Sequence, residues 1–181
     1  MRRFAAPVIL FVAAALFTGT AAASSPNLKS MTLRLSDLPP GFTLASSHSV
    51  SKAQLVKDQG YAMPGYIIGR ASKFKRAEGS RTAEVDSNVS LYRSSAQAHS
   101  SMLDTYRKAG KYRRISVGAP LGDEARAYKV TASGVAVYVT VWRYGNVKAS
   151  VFFAAIASIG ATAEGATRLA VKQQRRIKAA L

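Results

Sequence analysis

The sequence predicts an α+β domain: an antiparallel β-sheet covered by helices. Three observations predict it. Residues 124–158 hold three runs rich in β-branched and aromatic residues, joined by Ser133-Gly134 and Gly145-Asn146, two-residue connections suited to tight hairpins. TAEGATRLAVKQQRRIKAAL (162–181) carries its apolar residues at helical spacing. Finally, the three strand runs are apolar on both faces, which implies cover on both sides of the sheet.

Taken from the N-terminus, Met1-Arg2-Arg3 is followed by the 14-residue apolar run FAAPVILFVAAALF (4–17) and by Ala21-Ala22-Ala23. That is the tripartite secretory pattern, with cleavage expected after Ala23. A spanning helix needs about 20 apolar residues, so an uncleaved anchor is the weaker alternative. Residues 24–30 form a polar lead-in, and 31–181 one α+β domain. MTLRL (31–35) alternates as a brief strand, and Pro39-Pro40-Gly41 makes a turn before the strand FTLASSHSV (42–50). SKAQLVKDQG (51–60) is a short helix with Ser51 as N-cap and Gly60 as its stop. YAMPGYIIGR (61–70) is a loop or irregular edge.

RASKFKRA (70–77) and TAEVDSNVSLYR (82–93) form a hairpin, with Val85, Val89 and Leu91 on one face and Asp86, Asn88 and Ser90 on the other. SAQAHSSMLDTYRKAG (95–110) is a helix capped by Ser94 or Ser95, with Ala98, Met102 and Tyr106 recurring every fourth residue. In the final meander, Tyr144 faces Val147, Trp142 faces Ala149, Thr140 faces Val151 and Tyr138 faces Phe153. The last helix takes Thr162 as N-cap and buries Ala166, Leu169, Ala170, Ile177 and Leu181.

Composition narrows the functional classes. Lys and Arg number 26 against nine Asp and Glu, a formal charge of +17, and about +15 without Arg2 and Arg3. Such a charge favours anionic lipid or envelope polymer, each basic residue near an anionic bilayer contributing on the order of 1 kcal/mol. Nucleic acid would attract it too, but export removes nucleic acid as a physiological partner. A solvated basic surface is the simpler reading. Cysteine is absent, which excludes disulfides, thiol nucleophiles and thiolate metal sites.

The chemistry-bearing residues are few. Asp123 and Glu124 are adjacent, and neighbours on a strand point to opposite faces, so they do not form a paired acid and base. Asp123 reads as an acceptor of backbone N–H groups in the turn, and Glu124 as a partner of Arg126. His48 and His99 lack the close spacing of metal ligands, so no metal and no cofactor is expected. There is no G-x-S-x-G and no phosphate-cradling glycine loop, and no catalytic residue is assigned. Tyr138, Trp142 and Tyr144 share one face of a strand and are the candidate lining of an apolar ligand cleft, beneath a lid over 61–68. The alternative is an ordinary core. Lys172, Arg175, Arg176 and Lys178 are the candidate anionic-surface contacts, although cations are also favoured at a helix C-terminus.

Asp37-Leu38-Pro39-Pro40-Gly41-Phe42, Leu121-Gly122-Asp123-Glu124-Ala125 and Trp142-Arg143-Tyr144-Gly145-Asn146 occur in order. In these the chain resembles poorly characterised exported bacterial domains that open with D-L-P-x-G-[FW], which look like extracytoplasmic sensor-type domains and the PsbP-like α/β/α sandwich. The resemblance implies a binding or sensing module of the cell envelope without catalysis. Two other classes stay open: a hydrolase with a dispersed Ser/His/Asp site, and a structural adapter docking an unknown protein partner.

Overall fold

The computed structural model describes residues 26–60, 63–79, 81–132, 134–156 and 161–181. The leader 1–23 lies outside the described residues, as do Tyr61 of the expected lid, Ser80 and Ser133 of two expected turns, and the strand end at 157–158. The core of the fold is one seven-stranded antiparallel sheet in the order β1-β2-β3-β7-β6-β5-β4. Its strands are β1 (Thr43–Val50), β2 (Tyr66–Glu78), β3 (Arg81–Tyr92), β4 (Arg113–Ile115), β5 (Glu124–Ala132), β6 (Val135–Tyr144) and β7 (Val147–Ile156). The helices are α1 (Leu28–Met31), α2 (Lys52–Gln59), α3 (Ser95–Lys108) and α4 (Ala163–Ala180). Two ribbons of consecutive strands, β1 to β3 and β4 to β7, join where β3 pairs with β7. α3 carries the chain between the two ribbons, and α4 follows β7 onto the opposite face. This is the antiparallel α+β architecture the sequence predicts, in α/β/α layers.

The expected register of β6 and β7 holds pair for pair: Tyr144 with Val147, Trp142 with Ala149, Thr140 with Val151, Tyr138 with Phe153. Gly145, at φ +57°, supplies the left-handed residue that its two-residue turn requires. The predicted caps also form, with side chains of Ser51, Ser94 and Thr162 accepting from the N–H groups of Gln54, Gln97 and Gly165. Each relieves one of the donors a helix leaves unpaired at its start.

The centre of one face of the sheet, over β3, β7 and β6, is packed. Val85 and Val89 of β3, Val147 and Val151 of β7, and Trp142 of β6 lie under Leu169, Ala170 and Ile177 of α4. Each valine, leucine and isoleucine among them contributes about 1.5–3 kcal/mol by leaving water. Gln173, with no exposed surface, is the polar centre of this layer. Its Nε2 donates to Asn88 O at 3.0 Å, and its Oε1 accepts from Ser87 Oγ at 2.9 Å. Ser87 Oγ in turn accepts from Leu33 N–H at 2.9 Å. The chain ahead of β1 is thereby tied to α4 through the sheet.

Several local expectations need correction. Residues 31–35 are not a strand: Met31 ends α1, and Leu35–Asp37 form a 3-10 turn. Leu28 of the polar lead-in and Met31 are core residues, 8% and 0% exposed, because a single helical turn aims both into the gap beside α4. The stretch 66–70 is ordered strand, with a register shift between Tyr66 and Ile68 taking up the irregularity. Leu181 is 57% exposed, since α4 ends at Ala180, before its last residue is covered.

The second face departs most from expectation. α3 lays Ala98, Met102 and Tyr106 only over the end of the sheet where β3 finishes and β7 begins. Beyond it Val135, Val137 and Val139 are only partly buried, and Phe152, in the middle of a central strand, is 38% exposed. A helix of this length cannot span seven strands, so the cover on this side is partial.

Candidate ligand cleft

The uncovered part of that face is a cleft walled by α2 on one side and α3 on the other. One lobe, about 460 Å³, lies between α3 and strands β5 to β7, and reaches Met63, Tyr112 and Tyr128. The other, about 430 Å³, lies toward α2 and reaches His48, Tyr66 and Arg70. Thr105, Val139, Val141, Lys148 and Phe152 line both lobes, so the two adjoin across these side chains. Both volumes fall in the range of about 300–1,000 Å³ typical of small-molecule sites.

Lys148 stands at the junction. It alternates with Phe152 on β7 and leans toward α3. There its ammonium donates to Ser101 O at 3.2 Å, Ser101 Oγ at 2.9 Å and Thr105 Oγ1 at 2.5 Å. These acceptors are neutral. Asp104, whose charge is felt at Lys148, is engaged by Lys108 at 3.0 Å and Arg107 at 3.4 Å. Burial pushes the Lys148 ammonium down to about 8, Asp104 opposing the shift and Lys108 adding to it. Tyr66, which lines the lobe toward α2, stands in edge-to-face contact with the buried Tyr92 at 5.8 Å. The Tyr66 hydroxyl donates to Val50 O at 2.7 Å, fixing the end of β1.

The sequence-predicted residues fall elsewhere. Tyr138, Trp142 and Tyr144 share a face, as the strand period requires, but it is the packed face. Trp142 is 0% exposed within the α4 core, and its indole N–H has no acceptor among the described residues. Tyr138 and Tyr144 pack at the margin of the same core, covered by Lys129 at 5.6 Å and Lys178 at 5.4 Å from the ring centres. The cleft described above is lined by other residues, on the other side of the sheet.

The four basic residues of α4 divide likewise. Arg176 forks onto Asp37, Nε to Oδ2 at 2.6 Å and Nη2 to Oδ1 at 3.1 Å, and is only 20% exposed. Burial would raise the Asp37 carboxyl, but Arg176, the Arg34 N–H and Lys172 hold it below the ordinary carboxylate range. Lys172 donates to Asp37 O at 2.5 Å. Lys172, Arg175 and Lys178 are on the exposed side of the helix. Arg176 is thus a clamp on the segment before β1.

Asp123 and Glu124 meet a common partner. Arg143, opposite Glu124 on β6, donates from Nε to Glu124 Oε1 at 2.7 Å and from Nη1 to Asp123 Oδ2 at 2.8 Å. Asp123 also accepts from Gly145 N–H at 2.9 Å, a backbone contact in the neighbouring hairpin, not in its own turn. Gly122, at φ +55°, allows this approach, because a Cβ there would lie 2.0 Å from Arg143 O. The expected Glu124–Arg126 pair does not form: Arg126 lies over the Tyr106 ring at 3.7 Å. His99 Nδ1 lies 2.7 Å from Glu124 Oε1, and since a carboxylate only accepts, Nδ1 carries the proton. Burial raises the Glu124 carboxyl, while His99 and Arg143 more than offset it and hold it below its usual value. Among the described residues, no three His, Asp or Glu side chains converge as metal ligands would.

No family model matches the sequence, and no curated protein is similar to it. A solved structure is similar in fold. It is the extracellular domain of PknH from Mycobacterium tuberculosis, with a TM-score of 0.65 over 86% of this chain and 98% of that one. The sequences are 12% identical, so what is shared is the path of the backbone, an α+β sheet between helical layers.

Proposed function

We propose that this chain is an extracytoplasmic, sensor-type binding module of the cell envelope without catalytic activity. It takes a small ligand into the cleft between α2 and α3, and its basic surface holds it near anionic envelope material. The observation that carries the reading is the open centre of the second face. A 38% exposed Phe152 flanked by valines, beside a desolvated lysine, is costly to leave wet and is what a ligand site presents. The secretory pattern of residues 1–23 and the extracellular origin of the structural neighbour support the compartment. An environment-sensitive apolar dye tests the cleft: the native chain binds it and Phe152→Glu does not. Equal binding by both removes the reading.

The envelope half rests on the formal charge of +17 and on exposed Lys172, Arg175 and Lys178. Co-sedimentation with anionic but not neutral liposomes, weakening as salt shortens the Debye length, is the expected result. Equal binding to both lipids would overturn it.

A hydrolase is the second reading, favoured by the 2.7 Å contact of His99 with Glu124. Ser95 lies one helical turn from His99, yet its Oγ accepts from Arg143 Nη1 at 2.6 Å, and His99 lines neither lobe of the cleft. Turnover of a generic ester, abolished in His99→Gln, is the result that would favour it over a binding module.

A further inference from the structure

Resting on the cleft reading above, we infer that the ligand is an amphiphile with one anionic headgroup, of the long-chain carboxylate class. Its carboxylate is held by Lys148, and its tail lies in the lobe toward Tyr112 and Tyr128.

The lobe's walls are mostly carbon, from Met63, Val139, Val141, Tyr128 and Phe152. This suits a flexible hydrocarbon and offers little to a polyhydroxylated ligand. Among the described residues the cation built into its depth is Lys148, and its three contacts, to Ser101 O, Ser101 Oγ and Thr105 Oγ1, satisfy its hydrogens without cancelling its charge. Among the described residues no carboxylate forms an ion pair with Lys148, and Asp104 is engaged by Lys108 and Arg107. An incoming carboxylate exchanges the longest of the three contacts, to Ser101 O, for a charge-assisted one, the stronger kind. Thr105 Oγ1 already donates to Ser101 O at 3.0 Å, so that carbonyl keeps a partner. Lys108 and Lys111, at the mouth of the same lobe, favour entry of an anion. A single ammonium, with no arginine fork in this lobe, matches a monoanion better than a phosphate, which bidentate arginines recognise best.

The test titrates the full chain with decanoate, 1-decanol and acetate, following heat or displacement of an apolar dye. Decanoate binds at least tenfold tighter than decanol, a difference of about 1.4 kcal/mol, and acetate does not bind at decanoate's working concentrations. In Lys148→Met the preference for the acid disappears while decanol still binds. Lys148→Gln serves as a second variant, should the first fold poorly. Equal affinity of the native chain for decanoate and decanol, or a preference that survives both substitutions, overturns the assignment to Lys148 and leaves the cleft intact. Binding of acetate as tight as that of decanoate overturns the tail. Binding of none of the three overturns the ligand class, and the dye experiment then decides whether the cleft reading falls with it.

Discussion

Replacing Lys148 with methionine keeps a long flexible chain in the cleft and removes the charge, which makes the cost of holding that charge measurable. In the unfolded chain the ammonium titrates at the ordinary 10.5, and in the folded chain at about 8, because burial disfavours the charged form. The folded state therefore binds fewer protons between these values, so the native chain gains stability as pH rises through this window. At pH 7 the burdened charge costs roughly 3 kcal/mol, taking about 1.4 kcal/mol for each unit. By pH 10 most of that is relieved, a gain of about 2.5 kcal/mol. Tyr66 and Tyr106, whose hydroxyls burial pushes up, Tyr106 to about 12, act oppositely, costing stability above pH 10. They are present in both chains and cancel in the difference. The charged groups nearest Lys148, Asp104 and Lys108 of α3, are also unchanged. Urea unfolding of both chains at pH 7, 8, 9 and 10 reads the effect. The stability of Lys148→Met minus that of the native chain should fall by about 2.5 kcal/mol across the series. A difference that stays flat refutes the desolvated lysine.

Two further substitutions probe how the packed face is tied together. Gln173→Ala strands the Ser87 hydroxyl and opens a cavity beneath α4. It should cost about 2–4 kcal/mol in chemical denaturation, from one unpaired buried group plus lost packing, with a loss below 1 kcal/mol contradicting its central role. Arg176→Met frees Asp37. Because the folded carboxyl lies below 3.8, its pairing stabilises the protein above that value and is lost as pH falls through the folded one. The variant should therefore be weaker than the native chain at pH 7, by about 1–3 kcal/mol, with the gap narrowing as pH falls below 3.8; a gap that stays constant into acid refutes the ion pair.

What could be read from the sequence was whatever is decided locally. Gly145-Asn146 fixes a two-residue turn, and the register of Trp142 with Ala149 follows by counting outward. Thr162 followed by apolar residues at helical spacing is enough to place α4. The choice of which apolar face is sealed is not local. Trp142 and Phe152 sit on strands of equal quality; α4 covers Trp142 on one face, while the length and landing point of α3 leave Phe152 uncovered on the other. Lys148, alternating with Phe152, reads in the sequence as a solvated strand residue until Ser101 and Thr105 are placed above it by a helix 43 to 47 positions away. The contact between His99 and Glu124 spans 25 positions and depends on the same crossover. The signal that could have pointed to the cleft is a lone cation inside VKASVFF, on the face of its exposed aromatic.

Because the sequence has no native cysteine, a single introduced thiol reports its own surroundings without background. Neighbours on β7 point to opposite sides of the sheet, so Phe152→Cys and Val151→Cys compare the cleft with the core at one level of one strand. The folded chain should let a small thiol reagent modify the first at close to the rate of a free thiol, and protect the second until the protein unfolds. Protection of both would mean the second face is sealed and there is no cleft; rapid modification of both would mean that the α4 layer does not pack.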